Sequence, residues 1–166
     1  MRWQVVCAVA LFSLTMVPAF AQSPNEPKRL DATCTFADGK QMRVSYAPLL
    51  ANKKVDLPND RIWAPENLPM DIFTQANVSI EGKQIPAGAY TMYIIPGGKW
   101  TLVLNKDVTA GSKYDEKEDL LRASMQMGQL GDLEPFEVAF AQLGPKQCNL
   151  RIYYGKVGTW TEFDEQ

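Results

Sequence analysis

The sequence predicts an all-β protein: a single-domain antiparallel β-sandwich of about nine short strands, with a β-barrel as the alternative. Two observations predict this class. Apolar and polar side chains alternate at period two along most of the chain, and turns rich in glycine and proline separate the alternating segments. A third observation excludes a helical fold, because no segment has the period of an amphipathic helix longer than one or two turns.

The first residues have the pattern of a secretory signal peptide. Arg2 supplies the positive charge, Val5–Val17 is almost entirely apolar, and Ala19-Phe20-Ala21 has the small residues of a cleavage site. The apolar segment is shorter than the about 20 residues that a membrane-spanning helix needs. An uncleaved N-terminal anchor is the alternative interpretation.

We therefore expect cleavage after Ala21 and a mature soluble chain, without a membrane span, in the periplasm or outside the cell. Residues 22–30 contain two prolines and no apolar period, which predicts a flexible leader. Residues 31–166 form the predicted β-sandwich domain, a length that fits one domain.

The first predicted hairpin joins Thr33–Phe36 to Met42–Tyr46. Its connection contains Asp38-Gly39, a pair that favours the positive φ of a tight turn. A long irregular segment, Leu49–Pro69, follows. Long loops in compact domains are often functional, so any binding site is expected to include this loop.

The clearest hairpin joins Ala89–Ile95 to Trp100–Asn105 through the loop Pro96–Lys99. Both faces of these two segments are apolar, which predicts central strands of a packed sheet. The loop carries only one functional side chain, Lys99. We therefore do not expect it to form a binding site.

Six further segments have the alternation of short strands. A turn is predicted at Gly155–Gly158, and Asp115 is expected to cap one helical turn within the charged run Lys113–Asp119. The six segments are Ile72–Thr74, Asn77–Glu81, Leu121–Met127, Phe136–Phe140, Cys148–Tyr154 and Trp160–Phe163.

Two cysteines, Cys34 and Cys148, remain once the signal peptide is removed. In an oxidising compartment they favour one disulfide, which would join the first strand to a late one. Two buried free thiols are the alternative. A zinc site is disfavoured because two thiolates without histidine rarely complete a tetrahedral shell.

The composition excludes several classes of function. The chain has His 0, so no Ser-His-Asp triad, Cys-His dyad or imidazole metal site can form. With 17 basic and 19 acidic residues, the formal net charge of −2 offers no basic surface for nucleic acid. No metal and no cofactor is predicted.

The long loop supplies the candidate ligand-binding residues Arg61, Trp63, Glu66 and Asn67. Trp63 has two interpretations: an exposed ring would be a binding platform, and a buried ring would anchor the loop. Other aromatic side chains could stack on sugars or apolar ligands, with core packing favoured for Tyr90 and Trp100. This wider set is Trp63, Trp100, Trp160, Tyr90, Tyr93, Tyr153 and Tyr154.

The acidic run provides the densest group of carboxylates: Asp115, Glu116, Glu118 and Asp119. Two convergent carboxylates could hydrolyse a glycan, and several could bind Ca²⁺. The run lacks the glycine and spacing of an EF-hand loop, and lysines interrupt it. A solvated charged turn is therefore the favoured interpretation.

Several segments resemble a secreted bacterial family known as domain-of-unknown-function family 2911. The segment Arg61–Asn67 only partly matches the Trp-Arg-x-Gly-Ala-Asn pattern of that family. The resemblance implies an exported all-β domain, and it carries no activity, cofactor or catalytic residue. The matching segments are Ile80–Tyr90, Ile95–Gly97, Trp100–Lys106, and Tyr114 with Asp119–Arg122.

Taken together, these patterns predict a non-catalytic binding module of the cell envelope. Its partner would be a small molecule, a glycan or an envelope protein. A carboxylate-dependent hydrolase acting on glycans is one alternative. An envelope structural or assembly protein, whose strand edges pair with another chain, is the other.

Overall fold

The computed structural model describes residues 28–49 and 57–166. The predicted signal peptide, its cleavage site and most of the leader lie outside the described residues. Over the described residues, two short 3-10 turns, Pro65–Asn67 and Glu116–Glu118, interrupt a fold that otherwise consists of strands and loops. The strands are β1 Leu30–Thr35, β2 Gln41–Tyr46, β3 Met70–Thr74, β4 Val78–Ile80, β5 Lys83–Ile85, β6 Gly88–Ile95, β7 Thr101–Asn105, β8 Asp119–Ser124, β9 Gln126–Gly144 and β10 Gln147–Glu165.

The described strands form two antiparallel sheets and no closed barrel, so the predicted all-β sandwich is confirmed. The larger sheet has six strands in the order β1-β2-β3-β6-β7-β8, and the smaller has four in the order β5-β4-β10-β9. Strands β6 and β7 lie inside the larger sheet, as their two apolar faces predict. Within the described residues, no helix is long and apolar enough to cross a membrane.

The main core lies between the two sheets. Alternate residues of each strand point to the same side. Met42 and Val44 of β2, and Met92 and Ile94 of β6, are therefore all fully buried against the other sheet. Phe163 of β10 is buried in the same core. This layer of side chains holds the two sheets together.

The disulfide between Cys34 and Cys148 joins the two sheets, with 6.2 Å between the Cα atoms. Cys34 lies on β1 of the larger sheet and Cys148 on β10 of the smaller one. The predicted bridge between the first strand and a late strand is therefore confirmed. The two cysteines are separated by 114 residues in the sequence. The bridge therefore restricts the conformations of most of the described chain when the protein is unfolded.

The last two strands correct the sequence prediction. Each is 19 residues long, where short segments separated by a turn at Gly155–Gly158 were predicted. That turn prediction is wrong because β10 continues through it. Gly155 has a φ of 61°, and the register with β9 shifts on both sides of it, so the strand bends while it stays paired.

The bend brings the two ends of β10 side by side. The backbone N–H of Glu165 donates to the carbonyl of Lys146 at 2.8 Å. The side chain of Gln147, at the start of β10, donates to Asp164 Oδ1 at 2.9 Å. The outer face of the bent β9–β10 ribbon therefore encloses a groove.

A second, smaller apolar cluster lies on the outer face of the six-stranded sheet. Ala64, Tyr93 and Val103 are its buried members, and Tyr114 packs against them. Loop residues before β3 and before β8 thus cover the outer face of the two central strands. The candidate site lies beside this cluster.

Candidate functional site

A cavity of about 490 Å³ opens on the outer face of the six-stranded sheet. Its strand residues include Asp71 of β3, with Thr91 and Tyr93 of β6. Leu68–Pro69, just before β3, and the loop Val108–Ser112, after β7, also line it. We call it the Tyr93 cavity.

The sheet register aligns a row of polar side chains beside and beneath this cavity. Asp71 pairs with Thr91, Thr91 with Asn105, and Asn105 with Asp119, across four neighbouring strands. Residues directly opposite each other in a sheet share a face. The row therefore runs across the outer face from β3 to β8, although its members are far apart in sequence.

Hydrogen bonds connect the row to the loop after β7. The side-chain amide of Asn105 donates to Asp119 Oδ1 and to the carbonyl of Asp115, both at 2.9 Å. The N–H of Asp107 donates to Asn105 Oδ1 at 3.0 Å, and the Thr91 hydroxyl donates to the Asp107 carbonyl at 2.6 Å. These bonds fix the start of the loop that forms one side of the cavity.

The other carboxylate oxygen of Asp119 organises a second set of contacts. Oδ2 accepts hydrogen bonds from the Tyr114 hydroxyl at 2.7 Å and from Arg122 Nε at 2.8 Å. Arg122 also donates to the Tyr114 hydroxyl at 2.7 Å. Burial, followed by the hydrogen bond to Asp119, raises the pKa of Tyr114 to about 12, so the phenol stays protonated near neutral pH.

Tyr93 is a buried tyrosine whose hydroxyl faces the cavity. Its side chain is only 6% exposed, and its ring packs edge-on against Tyr114 with 5.2 Å between the centroids. No residue of the described chain forms a hydrogen bond with its hydroxyl. Because no fully buried side-chain N or O atom of the described residues lacks a partner, this hydroxyl reaches solvent, and the cavity is where it does so.

The electrostatic environment keeps the Tyr93 phenol neutral. Burial raises the pKa of Tyr93, and the negative charges of Asp107, Asp119 and Asp71 raise it further. The phenol can therefore donate or accept a hydrogen bond towards the cavity. The carboxylates around it disfavour any further negative charge there.

Arg29 lies at the edge of the cavity and is already engaged. It donates to the carbonyls of Ser45 at 2.7 Å and Pro69 at 3.1 Å, and it forms an ion pair of 2.9 Å with Asp71. Leu30, which the sequence analysis placed in the leader, begins β1. Arg29 thus ties the start of the domain to the segment that enters β3.

The structure buries Trp63, as the anchoring interpretation requires. Its side chain is 8% exposed, and its backbone exchanges hydrogen bonds of 2.8 and 3.1 Å with Ile94 of β6. Its ring packs edge-on against Phe136 of β9 with 5.5 Å between the centroids. Trp63 therefore joins the loop to the core between the sheets.

The other candidate loop residues, Arg61, Glu66 and Asn67, are exposed. None of the four candidates lines the Tyr93 cavity, and the loop contributes Leu68 and Pro69 to it instead. A ligand-binding role for Arg61, Trp63, Glu66 and Asn67 stays a prediction.

The charged run before β8 forms a capped turn. Asp115 accepts a hydrogen bond from the N–H of Lys117 at 3.0 Å, which confirms the predicted cap. Glu118 pairs with Lys106 at 3.5 Å, and Glu116 pairs with Arg122 at 3.4 Å. Across the described residues, no group of three or more acidic or cysteine side chains is arranged to hold a metal ion.

The residues that organise the site lie in segments that matched the family resemblance. Asn105, Tyr114, Asp119 and Arg122 all belong to those segments. A family model described as "Protein of unknown function (DUF2911)" matches residues 30–162. The chain belongs to this family. Comparisons with curated proteins and with solved structures find no match.

In this DUF2911 chain, sequence reasoning did not select Arg29, Asp71 or Thr91, and it placed Tyr93 only among the general aromatic candidates. These residues meet through the pairing of β3 with β6. The sequence feature that could have pointed to this part of the sheet is the group of polar side chains at Tyr114 and Asp119–Arg122, just before and at the start of a predicted strand. Without knowledge of the strand pairing, these residues do not indicate a cavity.

Proposed function

We propose that this DUF2911 protein is an exported, non-catalytic module that binds a small organic ligand in the Tyr93 cavity. One observation carries the proposal: a phenol hydroxyl on a side chain that is 6% exposed has no partner in the described chain and opens into a cavity of about 490 Å³. Because this hydroxyl reaches solvent, water can satisfy it in the free protein, and a ligand that displaces the water can take over its hydrogen bond.

The lining indicates the chemistry of the ligand. Leu68, Pro69 and Val108 offer apolar surface for an apolar body, and the Tyr93 phenol offers one hydrogen bond. Asp71 and Asp107 add negative charge nearby, and Arg29 compensates Asp71. We therefore expect a neutral ligand or one with an ammonium group, and we expect anionic ligands to bind weakly.

The hydrogen-bond network behind the cavity supports binding by a preformed site. Tyr114 contacts the Tyr93 ring, and Asp119, Arg122 and Asn105 hold Tyr114 and the loop after β7. A binding group that is already held in place loses less entropy when the ligand arrives. The carboxylates of Asp71 and Asp119 are both engaged by arginines, which favours binding over acid–base chemistry.

Export is supported by the N-terminal sequence pattern and by the disulfide. A Cys34–Cys148 bridge persists in an oxidising compartment. Intact-mass analysis of the protein from the cell envelope should give a chain that begins at Gln22. A dominant species that retains Met1 would contradict export with cleavage.

The test is a ligand screen on the wild type and on Tyr93→Phe. The library should contain neutral, amine and carboxylate fragments, with binding followed by protein-observed NMR. Tyr93→Phe keeps the ring and removes a hydroxyl without an internal partner, so the free variant should unfold at the wild-type temperature. Fragments of the neutral and amine classes should bind the variant about tenfold more weakly.

Tyr46→Phe is the matched control. Tyr46 is a buried tyrosine of the core between the sheets and does not line the Tyr93 cavity, so the loss of its hydroxyl should leave fragment affinity unchanged. Equal affinity of the hits for the wild type and Tyr93→Phe, or an absence of hits, would contradict the proposed site.

A further inference from the structure

A second groove lies on the outer face of the smaller sheet, where β10 bends back on itself. Its volume is about 500 Å³, within the range of about 300–1,000 Å³ of small-molecule sites. It lies on a different sheet from the Tyr93 cavity and shares no lining residue with it. We call it the Trp160 groove; its aromatic and polar lining residues include Asn149, Arg151, Tyr153, Trp160 and Glu162.

A pair of glycines makes room for the aromatic rings. Gly128 of β9 pairs with Gly158 of β10. A Cβ atom at Gly128 would lie 3.3 Å from the Trp160 ring, and one at Gly158 would lie 3.4 Å from the Tyr153 ring. Each ring therefore covers a glycine, and larger residues at these two positions would displace the rings.

A hydrogen bond orients Trp160. Its indole N–H donates to Gln126 Oε1 at 2.9 Å, so the polar edge of the ring is already satisfied. Trp160 is partly exposed, whereas Trp63 and Trp100 are buried. What Trp160 offers to the groove is therefore mainly the π surface of its ring.

Charged groups of both signs line the groove together with Trp160. Arg151 Nε donates to Asn149 Oδ1 at 2.8 Å, and the two terminal nitrogens of Arg151 have no partner in the described chain. Glu162 Oε2 lies 3.4 Å from Gln147 Nε2, and Glu162 Oε1 accepts no hydrogen bond from the described residues. The groove thus presents free donors and a free acceptor beside an aromatic ring.

The groove continues past Trp160. A smaller cavity of about 200 Å³ shares Trp160 and Glu162 with it and is also lined by Glu81, Ser124 and Asp164. A ligand that extends across Trp160 could contact both cavities. This arrangement favours a chain over a single small ring.

We infer that the Trp160 groove binds a neutral oligosaccharide, with one sugar ring stacked on Trp160. A pyranose has a face of C–H groups that packs on the electron-rich face of an aromatic ring. It also has a rim of hydroxyls that both donate and accept, which Arg151 and Glu162 match with charge-assisted hydrogen bonds. An acidic polysaccharide would meet the carboxylates of Glu81, Glu162 and Asp164, so the ligand is neutral.

The test titrates the mature, disulfide-bonded protein with the neutral hexasaccharides of cellulose, chitin and amylose. Binding is measured by calorimetry and by tryptophan fluorescence, with an alginate hexasaccharide as the anionic comparison. At least one neutral hexasaccharide should bind and change the Trp160 emission. Trp160→Ala should weaken this binding at least about tenfold, and Glu162→Gln about threefold.

Phe73→Ala is the matched control, because Phe73 is an aromatic residue, 40% exposed, that lies on the six-stranded sheet and lines neither site. Its affinity should equal that of the wild type. Tyr93→Phe should also bind normally, which separates this groove from the Tyr93 cavity. If Tyr93→Phe abolishes oligosaccharide binding, the groove assignment is wrong.

A measurement on the wild type tests the inference even if Trp160→Ala does not fold. N-bromosuccinimide oxidises accessible tryptophans, so Trp160 should react before Trp63 and Trp100. The bound hexasaccharide should slow the oxidation of Trp160, as mapped by peptide mass spectrometry. Unchanged oxidation of Trp160, tighter binding of alginate, or no binding of any neutral hexasaccharide at millimolar concentration would overturn the inference.

Discussion

The Tyr114 hydroxyl donates a hydrogen bond of 2.7 Å to Asp119 Oδ2, five residues further along the chain. Asp119 also accepts from Asn105 and Arg122, and its side chain is only 10% exposed. One carboxylate therefore satisfies three donors from three different segments. Together with the Asn105–Asp115 hydrogen bond and the Lys106–Glu118 ion pair, this carboxylate holds the loop before β8 to the sheet.

Replacing that carboxylate should destabilise the protein. Asp119→Ala removes an acceptor that Asn105, Tyr114 and Arg122 share, so we expect a loss of about 2–3 kcal/mol in the free energy of unfolding, measured in urea. Asp31→Ala is the control, because Asp31 and Arg43 form an exposed pair at 3.7 Å whose loss should cost less than about 1 kcal/mol. Equal small losses in both variants would mean that the network does not hold the loop.

The pH dependence of stability should report on Tyr114. Its pKa is raised from 10.0 to about 12, so the folded state favours the neutral phenol. The stability that Tyr114 contributes is therefore fully present below about pH 10 and is lost as the pH rises towards about 12. The difference in unfolding free energy between the wild type and Tyr114→Phe should shrink across this range.

This difference is the measured quantity because other tyrosines and lysines titrate in both proteins and cancel. Absorbance at the tyrosinate band gives an independent measurement. The wild type should show one more late-titrating tyrosine than Tyr114→Phe. A difference that stays constant between about pH 10 and 12 would refute the assignment of the raised pKa to Tyr114.

Truncation of Trp63 should distinguish a loop anchor from a binding platform. The ring is buried against Phe136, so Trp63→Ala should lower the free energy of unfolding by about 3–5 kcal/mol. Arg61→Ala, an exposed change in the same loop, should alter stability by no more than about 0.5 kcal/mol. If Trp63→Ala keeps wild-type stability and instead loses a ligand, the ring is a binding platform and not an anchor.

Removal of the disulfide should have the largest single effect on stability. For the separation of 114 residues, the chain-entropy model gives a loss of roughly 4–5 kcal/mol, against the about 5–15 kcal/mol typical of a whole domain. The variant Cys34→Ala/Cys148→Ala should therefore melt many degrees lower. Thiol titration of the denatured, non-reduced chain that begins at Gln22, which lacks Cys7, should find no free thiol, and two free thiols would disprove the bridge in the isolated protein.

Features that depend only on neighbouring residues could be predicted from the amino-acid sequence. Alternation at period two identified the strands around Ala89–Ile95 and Trp100–Asn105 and assigned their faces. Asp38-Gly39 identified the first turn, where Gly39 has a φ of 89°. Asp115 identified a cap. Each of these follows from local backbone and side-chain geometry, which a few residues specify.

Gly155 is a residue whose structural role does not follow from its neighbours in the sequence. Gly155 has the positive φ that a turn would need, but the same conformation also allows a bulge within a continuing strand. The choice depends on whether the partner strand stays paired on the other side of the bend. In this protein β9 stays paired with β10, and the Trp160 groove exists because it does.

Contacts between side chains of different strands could not be predicted in this way, because they depend on how the strands pair and pack. Tyr93, Thr91 and Asp71 line one cavity because β6 pairs with β3, and a slip of this pairing by one residue would put Asp71 on the opposite face from Thr91 and Tyr93. Trp63 is buried because Phe136 of the opposite sheet lies against it. Strand pairing and packing between sheets join residues that are distant in the chain, and no local pattern encodes their distance.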